Sequence, residues 1–139
     1  MPSPPDEAAP LLDDGAYPVT RLYPGRVTTL ARFRRLCAEW DRVIAREGRF
    51  VIISFGDHPA GEPAEVARER ALFFKRNRDV FRERCAVIVN VEPDAGERAL
   101  RLAEIDKVTR ALGFRLAVVA SEAEALDLAR LHLATPGPA

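Results

Sequence analysis

The chain has 139 residues, 21 Lys plus Arg against 21 Asp plus Glu for a formal net charge of +0, and two cysteines. A single domain of that length buries about 68–70% of its unfolded surface, and the balanced charge supplies no global field for nucleic acid or anionic lipid. Cys37 and Cys85 stand far apart, in a helical and a strand pattern, so they offer neither a CxxC redox pair nor a cysteine zinc cluster and read as buried reduced thiols.

Met1 to Glu7 is acidic and proline-rich where an export signal is basic and then apolar. No apolar stretch reaches the roughly 18–20 residues of a membrane-spanning helix, so the expectation is a cytoplasmic protein without a span. Residues 1–15 and 135–139, rich in Pro, Gly, Ala and Asp, are expected to be flexible tails around one domain over 16–134.

Pro18 to Tyr23, with Val19, Leu22 and Tyr23, predicts a first strand closed by Pro24-Gly25. Thr28 or Thr29 then caps a helix whose apolar positions Leu30, Phe33, Leu36, Trp40, Val43 and Ile44 recur every three to four residues up to Gly48. The run Phe50 to Phe55 does not alternate, so it reads as a strand covered on both faces within a largely parallel sheet. The turn formers Gly56 to Pro63 follow. From Glu62 to Arg84, Val66, Phe73, Phe74 and Phe81 mark one helical face, Asn77 marks a break, and Lys75, Arg76, Arg78, Arg82 and Arg84 make the other side locally basic. Cys85 to Val91 is the third strand. The next helix places Leu102, Ile105, Val108 and Leu112 inward and stops at Gly113. Phe114 to Ala120 is the fourth strand, and Ser121 with Glu124 forms a capping box at the start of the last helix.

The expected fold is therefore α/β, a single domain with a mostly parallel four-stranded sheet in βαβαβαβα order and helices packed on it. Right-handed crossovers put the loops after the second, third and fourth strands on one edge, the edge at which open α/β sheets bind ligands. It offers Ser54, Asp57, His58, Asn90, Glu92, Asp94 and Ser121. Ser54 stands between Ile53 and Phe55, whereas a nucleophile elbow needs small flanking residues. The spacing of Asp57, His58, Glu92 and Asp94 matches no coordination loop, so these read as solvated turn residues. Gly56 and Gly61 complete neither GxGxxG nor a P-loop. His132, between Leu131 and Leu133, reads as structural.

Three strings carry a resemblance to a known family: Leu22-Tyr23-Pro24-Gly25-Arg26-Val27-Thr28, Gly48 to Phe55, and Phe114 to Ala129 with Ala-Ser-Glu-Ala-Glu-Ala-Leu. From Arg21 to about Leu133 the chain resembles the STAS superfamily of anti-sigma-factor-antagonist-like domains and their SpoIIAA-like relatives. The resemblance implies a non-enzymatic binding module whose loop edge and second helix touch a partner protein, or, as in lipid-binding relatives, a small apolar ligand. Members that switch by phosphorylation carry a serine or threonine after the central strand. Gly56 to Pro63 contains neither, and the switch is not carried over.

The expected function is a regulatory or adaptor domain acting by protein contact, not an enzyme, with no cofactor and with a homodimer as one form of partnership. Phe74, Arg76, Arg78, Asp57 and His58 are the expected partner-binding residues, since an aromatic left near the surface beside arginine suits an interface. Two alternatives stand beside it: a small-ligand-binding protein or enzyme using Asp57, His58 and Glu92, and an immunity-type or structural subunit. A deep polar pocket joining the loops after the second and third strands favours the ligand or enzyme reading, and a flat edge favours the adaptor.

Overall fold

The strands form one five-stranded sheet, in the order β1-β2-β3-β4-β5, in a computed structural model that describes residues 9–135 except the side chains of Asp106 and Leu112. The strands are β1 (Leu12–Ala16), β2 (Val19–Leu22), β3 (Phe50–Phe55), β4 (Cys85–Val91) and β5 (Leu116–Val119). β1 is antiparallel to β2, and every other neighbour is parallel. The helices are α1 (Leu30–Ile44), α2 (Ala64–Arg76), α3 (Arg78–Arg84), α4 (Ala95–Leu112) and α5 (Glu122–Ala134), with a 3-10 turn over Pro24–Arg26. No helix among the described residues is long and apolar enough to cross a membrane.

One face carries Leu22, Phe50, Ile52 and Ile88 and packs on Phe33, Leu36, Trp40 and Val43 of α1, Val66 and Phe73 of α2 and Phe81 of α3. The other carries Val51, Ile53, Val87, Val89 and Val91 and packs on Ala125 and Ala129 of α5. Buried strands wet on neither side explain the unbroken apolar run from Phe50 to Ile53. Thr29 caps α1 by accepting the Arg32 amide at 3.1 Å. Asn77 interrupts α2 and α3, its side chain donating to the Phe73 carbonyl at 2.9 Å.

The expected count of four strands is corrected to five, because β1 lies in the segment assigned to the N-terminal tail. Leu11 and Leu12 are fully buried and anchor it. Polar contacts complete the attachment: the Leu12 amide donates to the Glu39 carboxylate of α1 at 2.9 Å, and Asp14 pairs with Arg42 of α1 at 3.5 Å and with Arg46, just past the helix, at 3.0 Å. Two leucines followed by Asp-Asp-Gly carry no alternating signal, so the strand exists through tertiary contact. Residues 1–8 and 136–139 of the expected tails lie outside the described residues.

The inward stripe expected on α4 is also corrected. Leu102 is 53% exposed and Val108 38%, with Ile105 half-buried, while the expected inward side chain of Leu112 lies outside the described residues. Arg101 sets the helix rotation instead. Its guanidinium donates to Asn90 Oδ1 and stands 3.2 Å from Glu92, which turns the adjacent Leu102 outward. Gly113 ends α4 at φ 73°, the left-handed conformation that favours glycine at a helix C-terminus.

Candidate functional site

The parallel register β2-β3-β4 places Ile52 beside Ile88 and Ser54 beside Asn90, all on the face that α1 and α2 cover. Strand period two then gives this face an apolar floor of Leu22, Ile52 and Ile88, followed one step later by a polar pair at the carboxyl ends of the strands. Helices α1 and α2 do not close onto that end. A cavity of about 360 Å³ remains, roofed by Phe33, Leu36, Trp40, Phe73 and Phe74 and walled by Pro24 and Val27. Its mouth carries Ser54, Gly56, Asp57, His58, Arg70 and Asn90. This is the size and composition of a small-molecule pocket, about 300–1,000 Å³ and mainly apolar with a few convergent polar groups.

The polar groups of the mouth are tied to one another. Arg70 of α2 donates through both terminal nitrogens to the Glu62 carboxylate, one of the bonds at 3.0 Å, which holds the Gly56 to Pro63 loop against the helix. That hydrogen bond keeps the Glu62 carboxyl below its ordinary range. Asn90 Nδ2 donates to the Gly56 carbonyl at 3.0 Å, and Arg101 gathers Asn90, Glu92 at 3.2 Å and Asp57 at 3.8 Å. Asp57 Oδ1 also accepts the His58 amide at 2.7 Å. The His58 ring has its pKa lowered, chiefly by lost hydration at the pocket rim and next by the Arg70 cation, so it is neutral at pH 7.

The expected loop-edge residues therefore divide. Ser54, Asp57, His58 and Asn90 line the cavity together, and Arg101 joins Asp57 and Asn90 to Glu92 beside it. Asp94 and Ser121 are helix caps, accepting the Glu97 amide at 2.8 Å and the Glu124 amide at 3.2 Å. Glu124 returns its bond to the Ala120 amide, one residue earlier than a capping box places it. Phe74 is half-buried, packs on Phe73, Phe81 and Phe114 and lines the cavity, and the side chain left outside is Leu72, 45% exposed. Arg76 is exposed beside it, whereas Arg78 is half-buried with a buried Nε that lacks a hydrogen bond among the described residues. Trp40, Arg70 and Arg101 were not singled out as site residues by the sequence. A buried tryptophan on a clean stripe looks the same whether it meets packed atoms or a void, and no sequence signal marks Arg70 or Arg101.

Among the described residues no group of three or more His, Cys, Asp or Glu is placed to hold a metal ion. Comparison with family models, curated proteins and solved structures returns no match to the chain.

Proposed function

We propose that this chain is a non-enzymatic regulatory domain, STAS-like in kind, that binds a small apolar molecule between its sheet and helices α1 and α2. The cavity of about 360 Å³ carries the reading, because it opens at the carboxyl edge of a parallel sheet, where Ser54 of β3, Asn90 of β4 and Gly56 to His58 of the loop after β3 line it. Its floor and roof are aliphatic and aromatic, and its mouth holds the polar side chains. The resemblance supports a binding module, and the same loop edge is where it puts partner contact. Asp57 and His58 then report occupancy to a partner protein from the rim of the pocket.

The test is titration with the neutral probe N-phenyl-1-naphthylamine, whose emission rises in apolar surroundings. Saturable binding near one probe per chain is expected, lost in a Leu36→Trp variant that fills the roof and retained in Leu72→Ala on the outer surface. Non-saturable enhancement, or equal binding by Leu36→Trp, overturns the reading.

A further inference from the structure

The cavity that the proposed function rests on has a polar end with a definite charge character. Two charged side chains line it, Arg70 and Asp57. Arg70 is engaged by both oxygens of Glu62, and Asp57 faces Arg101 at 3.8 Å. Arg101 is shared with Glu92 at 3.2 Å, so three carboxylates meet two guanidinium groups around the opening. A carboxylate ligand would meet guanidinium groups already paired with carboxylates and would have to displace Glu62 to reach Arg70, the cation that lines the cavity. Ser54 and His58 are different. Both are uncharged there and each has donor and acceptor capacity.

We infer that the ligand is a neutral amphipathic molecule, an apolar chain or ring ending in a hydroxyl or carbonyl that meets Ser54 and His58, and that the Glu62–Arg70 pair selects against its carboxylate counterpart. The pair acts by occupying the one guanidinium that lines the cavity among the described residues. An uncharged end loses little hydration on entering the rim, whereas an unpaired carboxylate loses much more.

The experiment compares 1-decanol with decanoate at pH 8, read by the change in emission of Trp40, the single tryptophan of the chain, which roofs the cavity. Decanol is expected to bind at least about tenfold more tightly than decanoate. Glu62→Gln frees Arg70 and should raise decanoate affinity about tenfold while leaving decanol within about twofold. If decanoate binds the wild-type chain as well as decanol, or Glu62→Gln leaves the ratio unchanged, the selection for a neutral end is wrong and the cavity reading stands. If neither ligand nor the naphthylamine probe binds, the cavity reading itself fails and the inference falls with it.

Discussion

The indole of Trp40 meets the ring of Phe81 edge to face, with 5.5 Å between centroids and 82° between planes. The same indole lies near Phe50 at 6.5 Å and Phe73 at 6.4 Å, so one side chain joins α1 to β3, α2 and α3 while its other edge roofs the cavity. Trp40→Ala removes these contacts and enlarges a void that already exists, and should cost about 3–5 kcal/mol. Urea unfolding followed by circular dichroism measures it. An unchanged midpoint would mean that the face of α1 is assigned wrongly.

Arg101 fastens α4 to the sheet edge through Asn90, Glu92 and Asp57, and no described residue of α4 is fully buried. Arg101→Ala leaves the half-buried Asn90 Oδ1 without its Arg101 donor and Glu92 without its cation, and should cost about 1–3 kcal/mol. The loss should be local. Hydrogen exchange is expected to quicken across Ala95 to Leu112 first, with β3 and β4 amides still protected. Uniform quickening across the whole chain would contradict the assignment of Arg101 as the fastening of α4.

Stability should fall with pH in two windows. His58 and His132 both have pKa values below the ordinary 6.5, each mainly through lost hydration, so the fold prefers the neutral rings. The unfolded chain then takes up protons first as pH drops past 6.5, and stability present above that value is lost as pH falls through the folded values. Around His58 the cation Arg70 reinforces this preference, while Glu62 and Asp57 oppose it. Glu62, lowered from 4.5, repeats the sign below that value. The urea midpoint should be flat from pH 8 to 7 and decline below about 6.5, less steeply in a His58→Gln, His132→Gln double variant. A midpoint that rises on acidification from pH 7 to 5 would reverse the sign and defeat the argument.

Neither thiol should behave as a reactive cysteine. Burial pushes Cys85 up to about 12 and raises Cys37, with Arg76 partly offsetting the rise at Cys37. The nucleophile is the thiolate, so iodoacetamide at pH 8 should leave Cys85 unmodified in the folded chain and label it after unfolding. Mass spectrometry of the alkylated peptides decides this. Rapid labelling of Cys85 in the folded chain would show that its surroundings are wetter than the structure has them.

Legibility tracks how local each signal is. Helix α1, strand β3 and the break at Asn77 are readable because period, caps and turn residues lie within one segment. β1 is not, since Leu11 and Leu12 become a strand only by meeting α1 and β2. The α4 stripe misleads for the opposite reason: a helix-period pattern at Leu102, Ile105 and Val108 is overruled by the distant partners of Arg101. At the candidate site, Ser54, Asp57, His58, Asn90 and Glu92 were nameable from the order of elements. The void beneath them was not, because it depends on the cross-strand register Ser54 to Asn90 and on how far two helices stand from the sheet.

The two faces of the sheet are finished at different times during synthesis. Helices α1, α2 and α3 follow their strands and cover one face as the chain lengthens, whereas Val51, Ile53, Val87 and Val89 wait for Ala125 and Ala129 of the last helix. Until α5 leaves the ribosome, the nascent chain carries a bare aliphatic β-surface, the kind of surface that recruits chaperones or joins a second chain. A stop codon just after Ala120 would therefore yield a sticky, poorly recovered product even though β1 to β5 are all present.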